Sequence, residues 1–400
     1  MEEWKKYKMS DFIDFNPTIS LKKGTVARKI TMDKLIPHSR DIYEWEYEPY
    51  SGGSKFQNGD TIMARITPCL ENGKHAFISL LNDGETAYGS TEYIVMRGIP
   101  GISDNRFVYY LSHFPDFKNA AVKSMVGSSG RQRAQVDVLK NLEFYLPGLK
   151  EQRKISDTLS ALDDKIALNN RINHNLEEQA QALYKSWFVD FEPFKDGRFV
   201  DSEIGMIPEG WKVVHFLDIA KLCGGGTPKT DIDAFWDGPI PFFTPKDVKA
   251  SPFCLKTEKT ITENGLKHCN SQLYDVYTTF ITARGTVGKL CMAGAPMAMN
   301  QTNYAICSKS GINAITIYLM CKQIVANLKN KANGAVFDAI TTRDFEGESI
   351  IAAPDSIMTR FSRIVRPIFD QILHNEKQTL TLMDQRDSVL PRLMSGGIGL

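Results

Sequence analysis

Two groups of predicted loop residues carry the side-chain types that bind nucleic acids. Arginine and lysine pair with phosphate oxygens or guanine edges, whereas asparagine and glutamine pair with adenine edges. The candidates in the first half of the chain are Arg65, Thr67, Asn72, Lys74, Arg131, Gln132 and Arg133. The candidates in the second half are Thr227, Lys229, Thr244, Lys246, Arg284, Thr286, Lys289, Asn300 and Gln301. As a set repeated in each half they predict contacts with DNA, although a solvated loop is the alternative for each residue alone.

The motifs that resemble catalytic sites are incomplete. Segment 285–289 has its two glycines three residues apart, and Leu290 supplies no hydroxyl for Mg²⁺, so it is not a P-loop. The glycines at 224–226 lack the acidic residue of a dinucleotide site. Residues 16–19 lack the aromatic side chain of an amino-methyltransferase loop, and the histidines and cysteines show no metal-ligand spacing. The sequence therefore predicts a binding protein with no catalytic residue, no metal site and no cofactor of its own.

The charge distribution is compatible with two DNA-binding domains. The formal net charge is only +1, but residues 1–150 carry 20 Lys and Arg against 18 Asp and Glu, and residues 205–354 carry 15 against 13. Segment 151–204 is acidic, with 7 against 11. Two mildly basic blocks are thus joined by an acidic segment, and a local basic face could lie within each block. A polar N-terminus without a secretory signal, and no apolar run of 18 residues, predict a cytoplasmic protein without a membrane span.

The chain repeats itself with a period of about 206 residues. Trp4-Lys5 recurs at 211–212, and the run that ends in Ala64-Arg65 recurs as the run that ends at 283–284. The tyrosine of Tyr93-Ile-Val likewise recurs at 304. Short β-branched and aromatic runs alternate with helical stretches in both copies. This order predicts two compact domains of mixed structure, residues 1–149 and 211–354, joined across a Gly- and Pro-punctuated linker at 191–210.

Each copy is followed by a long heptad pattern. The patterns predict helices over 150–190 and 355–396 that pair in antiparallel orientation within the chain. Two unrelated helices, each packed on its own domain, are the alternative. The polar Asn169 and Asn375 occupy equivalent central positions, where polar residues fix register at a cost in stability. The predicted seam comprises Ile155, Leu159, Leu162, Ile166, Asn169, Leu176, Leu183, Phe361, Val365, Ile368, Ile372, Asn375, Leu382 and Val389.

Several segments resemble a known family. The segment 146–166, with Leu146-Pro147 and Glu151-Gln152 at its start, is similar to the helix-start signature of type I restriction–modification specificity subunits. Segments 187–193 and 207–211 resemble the same family, and segments 225–228, 236–241 and 244–247 resemble the opening of its target recognition domain. The resemblance implies an α+β fold. It consists of two α/β target recognition domains in pseudo-twofold arrangement, separated by two long antiparallel helices that form an intramolecular coiled coil.

The resemblance also implies partners. A specificity subunit binds double-stranded DNA with a bipartite site, two modification (methyltransferase) subunits and two restriction (motor-nuclease) subunits. Each target recognition domain would read one half-site, and the helix pair would set the spacing and dock the modification subunits. S-adenosylmethionine would be bound by the partner that methylates adenine N6, and not by this chain. An interaction scaffold and a single-chain DNA-modifying enzyme remain as alternatives.

Overall fold

The computed structural model describes residues 4–284, 287–309, 311–331 and 339–399, with the backbone only at 329–331. The chain divides into two compact units. Unit 1 comprises Met1–Leu168 with Thr379–Leu400, and unit 2 comprises Asn169–Gln378. Within the described part of the chain, none of the helices combines the length and the apolar composition that a bilayer span requires. All seven cysteines are free thiols.

Unit 1 combines three sheets with short helices. Its strands are β1 (Lys5–Lys8), β2 (Ile13–Phe15), β3 (Val26–Ile30), β4 (Glu46–Pro49), β5 (Ser54–Phe56), β6 (Thr61–Ala64), β7 (His75–Phe77), β8 (Ala87–Gly89), β9 (Tyr93–Gly98) and β10 (Glu143–Leu146). They pair in the orders β2-β9-β6-β7, β4-β3-β8-β5 and β1-β10. Helices span Asn105–His113, Pro115–Lys123 and Val136–Lys140. The central strands β6 and β9 are almost wholly buried, as expected for apolar runs covered on both faces.

Unit 2 has a corresponding set of strands. They are β11 (Phe199–Val200), β12 (Ile207–Pro208), β13 (Lys212–His215), β14 (Ala220–Gly224), β15 (Trp236–Phe243), β16 (Phe253–Cys254), β17 (Lys259–Ile261), β18 (Thr279–Thr282), β19 (Leu290–Ala293), β20 (Ala298–Met299), β21 (Asn303–Ser308) and β22 (Ser349–Ala352). The sheet orders are β14-β21-β18-β19-β16, β17-β15-β20, β13-β22 and β11-β12. Helices span Phe216–Ile219, Glu263–Lys267, Ala314–Lys331 and Thr342–Glu346.

The two units repeat one backbone framework. The antiparallel pair β1–β10 corresponds to β13–β22, and β2-β9-β6-β7 corresponds to β14-β21-β18-β19. Each unit also contains one matching parallel pair, β3–β8 in unit 1 and β15–β20 in unit 2. The repeat that the sequence predicts is therefore a repeat of strand pairing, and the α+β class is confirmed. The predicted linker 191–210 contains β11 and β12, which pair antiparallel.

Two helices of 40 residues each pass through both units. The first long helix is Leu149–Phe188 and the second is Asp355–Met394. In unit 1, Leu159 of the first belongs to one apolar cluster with Leu393 of the second. In unit 2, the ring of Phe361 lies 4.8 Å from the ring of Phe188. The start of each helix thus packs against the end of the other, so the pair is antiparallel.

Every residue of the predicted seam is at least half-buried. Seven of its residues are buried, namely Ile155, Leu159, Asn169, Phe361, Val365, Ile372 and Asn375. The other seven are half-buried, namely Leu162, Ile166, Leu176, Leu183, Ile368, Leu382 and Val389. Larger side chains outside the heptad series, among them Tyr184, Phe188 and Phe369, pack with the seam in unit 2. Burial of these apolar side chains provides the main driving force for pairing.

Polar side chains at the centre of the helix pair form hydrogen bonds from one helix to the other. Asn375 donates from Nδ2 to Oδ1 of Asn173 at 2.8 Å. Asn173 donates in turn to Oε1 of Glu376 at 3.0 Å, and Asn169 donates to Oε1 of Gln378 at 2.9 Å. Buried amides satisfied in this way pair well in only one alignment. The bonds therefore define the register in which Asn173 faces Asn375.

Two histidines are buried side by side in unit 1. His75 of β7 and His113 at the end of Asn105–His113 have ring centroids 4.6 Å apart, and Nδ1 of His75 lies 3.2 Å from Oγ of Ser112. Burial lowers the pKa of His75 to about 3. Burial also lowers the pKa of His113 well below its usual value of 6.5. Both imidazoles are therefore neutral in the folded unit at neutral and mildly acidic pH.

We expect acid to destabilise unit 1 through this histidine pair. In the unfolded chain both imidazoles take up a proton near pH 6.5, so below that pH the unfolded state binds more protons. The free energy of unfolding then falls by about 1.4 kcal/mol per pH unit for each histidine. Urea denaturation at a series of pH values from about 7.5 down to 5 measures this slope. His75→Gln removes one titrating group and should roughly halve the histidine contribution; equal slopes in the two proteins would contradict the expectation.

Candidate nucleic-acid interface

In unit 2, four of the predicted site residues meet at one edge of the strands. Thr227, in the loop after β14, donates its hydroxyl hydrogen bond to Oε1 of Gln301. Asn300 donates its backbone N–H to the carbonyl of Phe243 at 3.0 Å, which places Thr244, the next residue, beside it. The loop after β14, the end of β15 and the turn before β21 therefore converge. Residues separated by more than 70 positions form one surface.

Close backbone approach explains the glycines of this edge. An ideal Cβ on Gly225 would lie 2.2 Å from the carbonyl oxygen of Asn300, and one on Gly226 would lie 2.6 Å from the backbone nitrogen of Asn270. Any side chain larger than hydrogen would push the loop off the edge. Gly225 thus allows the loop to pack against the turn before β21, and Gly226 allows it to pack against Asn270.

Hydrogen bonds at the edge define what Asn300 can offer a ligand. Its Oδ1 accepts from the backbone N–H of Thr302 at 3.2 Å, from the hydroxyl of Thr302 at 2.8 Å and from Nδ2 of Asn303 at 2.6 Å. The carbonyl end of the amide is therefore occupied, and the NH₂ end is the group that can serve a base or a phosphate. The Thr244 hydroxyl is likewise occupied, because it donates to Asp247 at 2.8 Å.

Cations surround the same edge of unit 2. Arg284 follows the end of strand β18, and Lys289 directly precedes the start of the neighbouring strand β19. Both are exposed, as are Lys229 and Lys246. Nζ of Lys246 lies 3.7 Å from Glu258, a surface pair too exposed to immobilise the lysine. Thr286, also predicted as a contact, lies outside the described residues. The arrangement provides phosphate-binding charge beside the neutral donors of the edge.

In unit 1, the two predicted loops lie side by side. The backbone N–H of Thr67 donates to the carbonyl of Gln132 at 3.0 Å, and the N–H of Ala134 donates to the carbonyl of Arg65 at 2.8 Å. Arg131 is exposed and Gln132 is half-buried. The segments around 65 and 132, far apart in sequence, therefore present their side chains together.

Arg133 is held by a carboxylate that the sequence analysis did not single out. Its Nε and Nη2 both donate to Oε1 of Glu92, at 2.9 and 2.7 Å. Hydrogen bonding to Glu92, together with its negative charge, raises the pKa of Arg133. The two side chains form a charge-assisted, hydrogen-bonded pair at the surface. No motif identified Glu92, because the pair forms only when β9 and the loop before Val136–Lys140 come together.

Three other predicted contacts in unit 1 differ in how accessible their side chains are. Lys74 is half-buried, and its Nζ donates to the carbonyl of Met32 at 2.7 Å, which ties the side chain to the fold. Asn72 is exposed. The Thr67 hydroxyl lies 3.7 Å from the sulfur of Met125. Among these three, Asn72 is the side chain most accessible to a ligand.

The backbone corrects the sequence alignment of the two arginines by one residue. The bond from Ala134 N–H to the carbonyl of Arg65 recurs as a bond from Ile340 N–H to the carbonyl of Ala283, at 2.9 Å. Arg65 is therefore the counterpart of buried Ala283, and not of exposed Arg284. A shift of one residue along an extended chain turns a side chain to the opposite face. The arginines of the two units thus approach their edges from different sides.

Comparison with known proteins identifies this framework. A profile of the type I restriction modification DNA specificity domain matches residues 1–178 and 208–382. The chain belongs to this family. It acts as a DNA specificity subunit of type I restriction–modification systems, and the two matched segments correspond to the two copies of the repeat.

Individual specificity subunits resemble the chain over most of its length. The type I restriction enzyme MjaIX specificity subunit of Methanocaldococcus jannaschii is 31% identical over 307 residues, which cover 73% of this chain and 68% of that protein. The HindI specificity subunit of Haemophilus influenzae is 24% identical over 471 residues, which cover 100% of both chains. The crystal structure of a type I restriction–modification S subunit from M. genitalium is similar in fold. It has a TM-score of 0.57 at 12% identity and covers 98% of this chain and 96% of that one.

Proposed function

We propose that each unit of this specificity subunit reads one half of a bipartite DNA site. The observation that supports the proposal is the repeated strand framework, in which each unit brings polar and basic side chains from distant loops to one surface. Two similar but non-identical surfaces suit two half-sites of different sequence. Base edges in the major groove distinguish all four base pairs by their donors and acceptors, and such loop side chains can match them.

The antiparallel helices provide the spacing in this proposal. At 1.5 Å per residue, a helix of 40 residues is about 60 Å long. Half-sites one helical turn of DNA apart are separated by about 34 Å, which lies within that length. We propose that the outer faces of the helices dock two modification subunits, and that two restriction subunits join for cleavage. S-adenosylmethionine would then be bound by the modification subunit, and this chain would be a non-catalytic cytoplasmic component.

Mapping of methylated adenines tests the proposed function. The chain is co-expressed with its modification subunit in a host that lacks other adenine methylation, and the genome is sequenced with a method that detects N6-methyladenine. We expect methylation at one bipartite motif with a fixed gap of non-specified bases. The chain without its partner should give no methylation. Methylation by the chain alone, or a continuous motif without a gap, would overturn the proposal.

The interaction-scaffold alternative makes a different prediction about DNA. A scaffold that only holds proteins gives a complex whose affinity for DNA is the same with and without the mapped motif. A specificity subunit should give affinities for its motif about 10³-fold or more above those for unrelated DNA at the same salt concentration. Equilibrium binding of the purified complex to the two duplexes distinguishes the alternatives.

A further inference from the structure

The edge of unit 2 has a structural counterpart in unit 1 that carries different residues. In unit 1, β3 pairs in parallel with β8 so that Ile30 lies beside Gly89. In unit 2, β15 pairs in parallel with β20 so that Phe243 lies beside Met299. The turn that follows β8, residues 90–92, therefore corresponds to the turn that follows β20, residues 300–302. These are called the unit 1 turn and the unit 2 turn below.

One side-chain hydrogen bond shapes both turns. In the unit 1 turn, the backbone N–H of Glu92 donates to Oγ of Ser90 at 3.1 Å. In the unit 2 turn, the backbone N–H of Thr302 donates to Oδ1 of Asn300 at 3.2 Å. Both are contacts from a residue to the side chain two positions earlier, a common way to stabilise a tight turn. Ser90 is therefore the counterpart of Asn300, and Glu92 is the counterpart of Thr302.

The middle residue of each turn faces solvent. Thr91 and its counterpart Gln301 are both exposed. The residue that follows the adjacent parallel strand is a threonine in both units, Thr31 after β3 and Thr244 after β15, and both are half-buried. The unit 1 turn and Thr31 thus repeat the geometry of an edge whose unit 2 members Asn300 and Gln301 carry the amide groups expected of a DNA reader.

Two arginines lie against the unit 1 turn. The backbone N–H of Arg65 donates to the carbonyl of Glu92 at 2.9 Å. The guanidinium of Arg133 binds the Glu92 carboxylate through two nitrogens, and the exposed fractions of the two side chains are 42% and 22%. A carboxylate accepts from the exocyclic amino group of cytosine, whereas a guanidinium donates to guanine. The unit 1 turn therefore presents both acceptor and donor groups beside positive charge.

We propose that the unit 1 turn, with Thr31 beside it, is the base-reading edge of unit 1. In this arrangement Thr91 and Glu92 contact base edges of double-stranded DNA, and Arg133 positions the Glu92 carboxylate. The inference rests on the proposed function, because it assumes that the equivalent edge of unit 2 reads the other half-site. None of Thr31, Ser90, Thr91 and Glu92 is distinguished by a sequence motif; their assignment comes from the shared strand register.

Matched substitutions in the two turns test the inference. Thr91→Ala and Glu92→Gln are made in unit 1, and Gln301→Ala and Thr302→Ala are made in unit 2. Each chain is co-expressed with the modification subunit, and methylated motifs are mapped by sequencing. We expect the unit 1 substitutions to relax one half-site by about tenfold or more in base preference at one or two positions, as loss of a base contact does. The unit 2 substitutions should relax the other half-site only.

The controls separate this inference from the proposed function and from misfolding. If the wild-type complex methylates no bipartite motif, the proposed function fails. If a bipartite motif is methylated but the unit 1 substitutions leave both half-sites unchanged, the proposed function stands and the inference fails. Relaxation of the same half-site by substitutions in both turns would also overturn it. Asp83→Ala, in an exposed loop of unit 1, is the neutral control, and Arg133→Lys should relax the same positions as Glu92→Gln, but less, if Arg133 acts by positioning.

Discussion

Insertion of four residues after Asn170 is expected to widen the recognised DNA gap and to leave both half-site sequences unchanged. Four helical residues add about 6 Å and slightly more than one helical turn. That length corresponds to about two base pairs of B-DNA. The insertion point lies in the polar centre of the helix pair, beside Asn169 and Asn173, where few apolar contacts are lost. Methylation mapping should show the old gap modified about tenfold less than the new one.

Two further insertions make this test specific. Because Asn173 faces Asn375 in an antiparallel pair, position 171 faces position 377. The same four residues inserted after Lys377 should therefore widen the gap in the same direction. Insertion after Asp83, in a loop of unit 1 whose residues 82–84 are exposed, should leave the gap unchanged. A change in the half-site sequences in either helix variant would show that the helices do more than set spacing.

The sequence predicts well those features that depend on a regular spacing of residues, namely the long helices and the internal repeat. A heptad seam places apolar residues on one face whatever lies outside the helix, so the two long helices and many of their inward residues follow from spacing alone. The repeat is equally accessible, because matching residues such as Trp4 and Trp211 precede matching strands, β1 and β13. The α+β fold class then follows, because each copy mixes the two-residue period of strands with the 3.6-residue period of helices.

The sequence does not predict the features that depend on how strands and loops distant in sequence align with one another. Arg65 and Arg284 follow the same Ala residue type, yet strand pairing offsets them by one position and turns them to different faces. Glu92 gains its partner Arg133 only when β9 meets a loop about 40 residues later. Loops of different length between equivalent strands change the offset between the copies, so alignment by residue type fails first at the edges where DNA contacts are expected.

A buried ion pair joins the two long helices in unit 1. Nη1 of Arg386 donates to Oδ1 of Asp163 at 2.7 Å, and the two side chains are 7% and 3% exposed. Asp163 also accepts from the hydroxyl of Tyr110 at 2.7 Å, which connects the helix pair to the helix Asn105–His113. In unit 2, the positions equivalent by the repeat of 206 residues are Phe369 and Ala180, which are both buried and apolar. The same location is therefore ionic in one unit and apolar in the other.

Arg386→Ala is expected to lower the free energy of unfolding by about 3–5 kcal/mol, because it leaves the Asp163 carboxylate buried without its counter-charge. The double substitution Asp163→Phe with Arg386→Ala reproduces the residue pair of unit 2, and it should recover most of that loss, since a buried ion pair and a well-packed apolar pair differ little in stability. Urea denaturation of the full chain measures both variants, and Arg392→Ala, at an exposed position of the same helix, serves as control. A single substitution that costs less than about 1 kcal/mol, or a double variant no more stable than the single, would show that the ion pair does not hold the helices together.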